Sequence, residues 1–382
     1  MKDFSFKVPQ TIQFGVGCLS KLPQMLEENN SKHVLLVSDR GLEKLGVVDK
    51  VKKIIEASNI ECTSYLDVVP NPTIECVNEC AELYKSCGAT SIVALGGGSP
   101  MDVSKSAGVL VTHGGSITDY EGLYKVPGPI VPIIAIPTTA GTGSEVTASS
   151  VITDTSRNYK FSVISYEILP KYALLDPELI MTAPASVAAA CGVDALIHAL
   201  EAYLSVFASP YTDAMAEKAM ELIGANLRRF VANRQDVDAA SAMMLGSTFA
   251  GMSFAWAKLG NVHAMSHPVS AFFHVPHGVA NAVLLPTIVE YNALSDNGRY
   301  EKIYNYIKED KMPSANFKPQ MLVDEIKKLN KDLGIPASLS EVGVTEDKIE
   351  DMAKDAMKAA NVKANPRQTN IKDIINLYHK AM

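Results

Sequence analysis

Asp194 and His198 stand four residues apart in Asp-Ala-Leu-Ile-His, and four of the chain's eight histidines, His263, His267, His274 and His277, crowd into one short later stretch. Residues at i and i+4 share one face of a helix, so Asp194 and His198 can point at a common ion. His263 and His267 form a second such pair. Imidazole and carboxylate donors with no thiolate among them suit Fe²⁺ or Zn²⁺ rather than Ca²⁺ or a cysteine-held structural zinc. One aspartate and three histidines complete such a site, so the chain offers a surplus. If Asp194, His198, His263 and one of His274 or His277 bind the ion, His267 lies one turn away and is free to move protons. Residue types alone do not choose between His274 and His277.

The rest of the composition narrows the class of protein. A length of 382 residues favours two domains, and 47% hydrophobic with 20% charged residues is the balance of a globular, soluble chain. A net charge of −7 with both signs interspersed argues against capture of nucleic acid or of an anionic membrane. No run of eighteen or more apolar residues and no secretory h-region is evident, so no membrane span is expected. The six cysteines lack zinc-finger or disulfide-framework spacing; Cys76 and Cys80 read as buried thiols, and a reducing cytoplasm follows.

The elements that must position these residues fall into two grammars. Up to about residue 183, short apolar runs (33–38, 91–96 and 133–137) alternate with amphipathic helical segments (48–58 and 74–87), the pattern of a doubly wound α/β domain with a parallel sheet. Residues 4–14 read as a leading strand or hairpin. Beyond residue 183 the chain turns to long helical stretches rich in Ala, Met and Leu, at 213–230, 237–256, 319–333 and 346–360, punctuated by prolines 184, 210, 268, 276, 286, 336 and 366. The candidate metal ligands all lie in this second half.

The first half carries the marks of phosphate binding. Leu95-Gly-Gly-Gly-Ser-Pro-Met-Asp102 leaves a strand and opens a helix, with Ser99 suited to the N-cap, Pro100 to the first helical position and Asp102 to a capping box. Backbone N–H groups there, with the positive end of the helix dipole, favour a phosphate. A second loop, Pro137-Thr-Thr-Ala-Gly-Thr-Gly-Ser-Glu145, adds four hydroxyls at the end of another strand. Asp39 follows the strand that begins at His33, where an acidic side chain accepts from ribose hydroxyls and favours NAD over NADP. A metal beside a dinucleotide points to carbonyl polarisation with hydride transfer.

These motifs together resemble the iron-dependent (group III) alcohol dehydrogenase family: GGGSPMD at 96–102, PTTAGTGSEVT at 137–147, GVDALIHALEAYLS at 192–205, GNVHAMSHPVSAFFHVPHGVANAVLLP at 260–286 and NPR at 365–367. The resemblance runs over nearly the whole chain. It implies a parallel-sheet, Rossmann-like α/β dinucleotide-binding domain at 1–183 and an all-helical metal-binding domain at 184–382, with the metal in the cleft. By the match the ligands are Asp194, His198, His263 and His277, and His267 is a proton-relay residue beside the nicotinamide. Cofactor contacts fall on Asp39, Asn71, Gly97, Gly98, Ser99, Thr138, Thr139, Thr142, Ser149 and Lys160. The implied cofactors are NAD(H) and Fe²⁺, with Zn²⁺ in some relatives, and the implied partners are a small aldehyde or alcohol and a second copy in a homodimer or larger assembly. The leading strand is a candidate for pairing across that dimer.

Phe254 matches a substrate-lining position, Lys258 lies four residues on in the same helical pattern, and Asn361 falls where the last segment of the family approaches substrate. Because relatives carry a smaller segment around 254–258, Lys258 suggests a substrate with a polar or anionic tail, such as sulfoacetaldehyde. The alternatives are a zinc-dependent polyol dehydrogenase of the glycerol type, a related lyase that uses NAD transiently, and a non-catalytic self-assembling relative.

Overall fold

The structure is a computed structural model describing residues 6–8, 11–157, 159–310 and 316–382. Its contacts divide the chain into a sheet unit (6–139 and 143–182) and a helical unit (183–382), with residues 140–142 packing with the helical unit.

Six parallel strands run in the order β1-β9-β6-β4-β2-β3: β1 Thr11–Phe14, β2 His33–Val37, β3 Glu61–Tyr65, β4 Ser91–Gly96, β6 Ile133–Pro137 and β9 Tyr172–Leu175. The alternation of strand side chains explains the two layers of core. Leu35, Val37, Ile92, Ala94, Ile133 and Ala135 face one apolar cluster, while Val34, Leu36, Val93, Leu95, Ile134 and Ile136 face the other. Helices α4 (Ile74–Cys87) and α5 (Gly98–His113) contribute to the first cluster, and α1 (Leu22–Glu28) and α3 (Val47–Glu56) to the second, with the short α2 (Arg40–Lys44) between. Continuous apolar runs are therefore required in the central strands, since neither face meets water. A separate sheet of β5 (Gly122–Leu123), β8 (Tyr159–Ile164) and β7 (Ser149–Asp154) was not anticipated from the sequence. Of the leading segment, Thr11–Phe14 forms the expected strand, β1, at the sheet edge and parallel to β9; residues 1–5, 9 and 10 lie outside the described residues.

The helical unit comprises α6 (Ala185–Leu204), α7 (Pro210–Ala232), α8 (Val237–Ala257), α9 (Asn261–Phe273), α10 (His277–Asn292), α11 (Arg299–Ile307), α12 (Pro319–Asp332), α13 (Ile349–Ala356) and α14 (Ile371–Ala381). Helix α6 packs on α7, α8 and α10, and α9 packs on α10 and α13. By length and apolarity α6 alone among the described helices could cross a membrane, but most of it is buried by its neighbours and it carries Asp194, His198 and Glu201 on buried positions. Two expectations need correction. Pro268 and Pro286 sit inside α9 and α10 and do not end them. The helix expected over 346–360 is confined to 349–356, because after the apolar positions Ile349, Met352, Ala353 and Ala356 the backbone tightens into three-residue turns.

Candidate metal centre and cofactor loops

Three imidazoles converge on one carboxylate oxygen. Asp194 Oδ1 lies 3.9 Å from His198 Nε2, 3.7 Å from His263 Nε2 and 3.9 Å from His277 Nε2. Donors about 2.1 Å from a shared ion stand about 3.4 Å apart at tetrahedral angles, so the spacing is only a few tenths wider than a bound ion needs. Asp194 and His198 come from one face of α6, His263 from the first turn of α9, and His277 from the first residue of α10. The turn at 274–276 joins the last two helices. His274 ends α9 in the left-handed conformation (φ 56°) and is exposed, away from the cluster, so His277 is the member that the fold brings in. Close helix approach depends on Gly278: a Cβ there would lie 2.5 Å from the Ala190 carbonyl oxygen of α6.

Hydrogen bonds at the far side of two rings decide which nitrogens are bare. His198 Nδ1 is 3.2 Å from the Gly141 carbonyl and His263 Nδ1 is 2.6 Å from Glu201 Oε2, both pure acceptors. Each Nδ1 therefore carries a hydrogen, so in the neutral ring it is the Nε2 lone pair that faces Asp194. Gly141 achieves its contact because a Cβ would stand 2.9 Å from Cys191 Cβ on α6. Asn281, on α10, donates from Nδ2 to Asp194 Oδ1 at 2.6 Å and lies 3.1 Å from both His263 Nε2 and His277 Nε2, while its own buried Oδ1 finds no partner among the described residues. With neutral rings, two amide hydrogens cannot satisfy Asp194 Oδ1 and the bare Nε2 atoms of His198 and His263 together. The donor set is therefore electron-rich in a way a divalent cation answers, and the residues fit such an ion.

The electrostatics agree. Burial opposes the Asp194 charge, yet His198, His277 and His263 hold its carboxyl well below the usual range. Burial, reinforced by the neighbouring His263, lowers His198 to about 4. Burial would likewise lower His263, but its contacts with Asp194 and Glu201 raise it to about 9, so without an ion its Nε2 takes up a second proton at neutral pH, in the place a cation would fill.

Of the remaining candidates, His267 is half-buried one turn beyond His263, with its ring centroid 5.3 Å from that of His277. Phe254 lies against the site, its ring 4.4 Å from His198. Asn361 is in a short turn of helix (Ala360–Lys363) that packs on α9. Lys258 does not continue α8: it is exposed, and its backbone ends the helix at φ 67°, ψ 174°.

In the sheet unit, Asp39, Gly97, Gly98, Ser99, Thr138 and Thr139 gather at the carboxyl ends of neighbouring strands β2, β4 and β6. The capping box expected for α5 does not form. Gly97 is the N-cap with no side-chain cap, and Asp102 instead accepts from Ser144 Oγ (3.0 Å) and the Val151 N–H (3.1 Å). The first turn of α5 thus carries no side-chain cap. Asp39 Oδ1 accepts from the Leu42 N–H and caps α2. Lys160 Nζ donates to Asn71 Oδ1 at 2.8 Å, and burial lowers its pKa to about 8. Ser149 opens β7, and its carbonyl accepts from Lys105. Thr142 belongs with the helical unit, beside Gly141.

Glu201, Asn281 and Asn365 were missed by sequence reasoning. Asn365 and Asn292 exchange a pair of amide hydrogen bonds (2.8 and 3.0 Å), and Asn365 Oδ1 also accepts from the Asn261 N–H at the start of α9. Arg367 donates to the Tyr291 carbonyl and covers the Tyr291 ring at 3.8 Å. The late NPR motif thereby ties down the beginning of α9 and the end of α10, the two helices that carry His263 and His277.

Two family models match, "Iron-containing alcohol dehydrogenase" over residues 9–177 and "Fe-containing alcohol dehydrogenase family, C-terminal" over 188–382. The chain is 38% identical to a 1,3-propanediol dehydrogenase of Citrobacter freundii, covering 99% of this chain and 98% of that protein. It is 39% identical to a lactaldehyde reductase of Escherichia coli K12, covering 97% and 98%. Among solved structures, a 1,3-propanediol oxidoreductase superposes with a TM-score of 0.97 at 37% identity over the full length of both chains. A sulfoacetaldehyde reductase of Bifidobacterium kashiwanohense in complex with NAD⁺ gives 0.90 at 30% identity, covering 100% of this chain and 99% of that one.

Proposed function

The chain belongs to the iron-containing alcohol dehydrogenase family, and from that premise we propose that it reversibly reduces a small aldehyde to a primary alcohol, using NADH and one Fe²⁺ ion. The observation that carries this reading is the set of three imidazole Nε2 atoms within 3.9 Å of Asp194 Oδ1, two of them bare by virtue of their Nδ1–H partners. Asp194, His198, His263 and His277 would hold the ion. Bound there, Fe²⁺ would draw electron density from a carbonyl oxygen, while NADH would supply hydride to the carbonyl carbon.

The chain's own residues supply the rest. Gly97, Gly98 and Ser99 offer N–H groups to the cofactor diphosphate, joined by the hydroxyls of Thr138, Thr139 and Thr142. Asp39 accepts from the ribose; Asn71, Ser149 and Lys160 complete the cofactor set. Phe254 gives the substrate an apolar wall and excludes water beside His198. His267 passes one proton to the oxygen, so that aldehyde, NADH and H⁺ give alcohol and NAD⁺. Lys258 and Asn361 are assigned to the far end of the substrate, the former as the partner of an anionic tail. The same reading carries a cytoplasmic location and a homodimer or larger assembly; light scattering measures the assembly size.

Iron is preferred over the zinc-dependent polyol alternative on family grounds, since the nitrogen and oxygen donors accept both ions. A panel of aldehydes with NADH and added Fe²⁺ or Zn²⁺, scored by kcat/KM, tests the proposal. Small aldehydes turned over with Fe²⁺ support it. Turnover of glycerol-type polyols with Zn²⁺ alone would replace it.

A further inference from the structure

Asp194, His198 and Glu201 fall at i, i+4 and i+7 of α6, one stripe of one helix. Glu201 is 4% exposed, and both of its oxygens are spoken for: Oε1 accepts from the Val262 N–H at 2.7 Å and Oε2 from His263 Nδ1–H at 2.6 Å. The first contact caps α9, whose N-cap, Gly260, has no side chain to offer. Gly260 is also what lets the carboxylate in, because a Cβ there would lie 3.0 Å from Glu201 Oε1. The second contact fixes the tautomer of the histidine two residues into that helix. A buried carboxylate is costly unless strongly bonded, and a neutral cap from Ser or Asn at position 260 would serve the helix alone. Its placement on His263 needs a further reason.

Resting on the metal reading above, we propose that Glu201 is a positioning residue of the metal centre: it holds His263 in the Nδ1–H form and so presents the Nε2 lone pair to the ion. It also sets the charge, since Asp194 and Glu201 together balance one divalent cation. Glutamine separates these roles from simple capping. With its oxygen on the Val262 N–H, its NH₂ faces His263 Nδ1, where donor meets donor. The ring must then give up its Nδ1 hydrogen and protonate Nε2, removing the lone pair that binds metal.

The experiment compares purified wild type, Glu201→Gln, Glu201→Asp and His263→Ala, each loaded with Zn²⁺ or Co²⁺. Metal loss to excess EDTA, the visible spectrum of the cobalt form and the melting temperature are followed. Glu201→Gln is expected to lose metal about 10- to 100-fold faster than wild type and to shift the cobalt spectrum, beyond what any change in melting temperature accounts for. Glu201→Asp keeps charge and two acceptors at a shorter reach, and is expected to lie between wild type and Gln. Should Gln not fold, Asp against wild type decides by the same readouts. Wild-type retention and an unchanged spectrum in the folded variants would overturn the proposal, leaving Glu201 as a helix cap. A wild type that takes up no divalent ion would overturn the metal reading itself, and this inference with it.

Discussion

The molecule buries two clusters of charge, and they are satisfied to different degrees. In the sheet unit, Lys105 Nζ, with no solvent exposure, donates among the Ser144 carbonyl, Ser144 Oγ, Thr147 Oγ1 and the Ser149 carbonyl at 2.7–3.2 Å. Ser144 passes its hydroxyl hydrogen on to Asp102, which also takes the Val151 N–H. Every charge there is answered by protein. In the helical unit, three imidazole nitrogens and a carboxylate oxygen converge, with the Asn281 amide among them. The first arrangement holds a loop against a helix. The second is unfinished without a cation, and that difference separates structural from chemical use of buried charge.

Breaking each cluster should sharpen the contrast. His263→Ala is expected to lose metal and to cut turnover on the order of 10³-fold, as removal of a Lewis acid worth several kcal/mol requires, while remaining folded by circular dichroism. Lys105→Met should do the reverse: a loss of about 3 kcal/mol in stability from stranding Asp102, read from the urea midpoint, with metal content unchanged. If folded Lys105→Met loses its metal, the two clusters are not independent.

A smaller effect is expected from Asn281→Leu, which keeps volume but removes the hydrogen bond to Asp194. Metal affinity should fall about tenfold, measured by competition with a chromophoric chelator; unchanged affinity would make Asn281 mere packing. This residue also marks the limit of reading from sequence. The central strands were legible because burial on both faces forces uninterrupted apolar runs, and the ligands were legible because helix spacing places Asp194 and His198 together. Asn281 was not, since a lone asparagine on a helix carries no periodic signal. Glu201 could have been found at i+7 from Asp194, but an acidic residue on a helix reads as solvated until its neighbours are known. The hairpin of β7 and β8 escaped because its partly buried alternation is weaker than the runs of the main sheet. Ser99 and Asp102 were misread as a cap because Asp102 is claimed from 42 residues away by Ser144.

Lys160 tests the cofactor side by pH. Burial lowers its pKa from 10.5 to about 8, so its charge is present below that pH and lost above it. Binding of the anionic NADH diphosphate should therefore weaken as pH rises through about 8, and Lys160→Met should bind about tenfold more weakly at pH 7 with the inflection gone. Fluorescence titration of NADH from pH 6.5 to 9.5 measures both. An inflection that survives in the variant would assign it to another group.

Lys258 carries the smallest expected effect and the sharpest question about substrate. Its φ of 67° with ψ 174° lies in a region that essentially only glycine occupies without strain. The peptide that precedes it is anchored at both of its polar groups: the Lys258 N–H donates to the Phe254 carbonyl at 2.8 Å, and Ser205 Oγ donates to the Ala257 carbonyl. Lys258→Gly should therefore stabilise the protein by about 1 kcal/mol, whereas Lys258→Ala removes the amine and keeps the strain. Comparing the two variants on acetaldehyde and sulfoacetaldehyde separates backbone from charge. If the amine meets an anionic tail, both variants lose several-fold in kcat/KM on sulfoacetaldehyde alone. If the lysine is only a strained helix terminus, neither substrate distinguishes them, and the Gly variant simply melts higher.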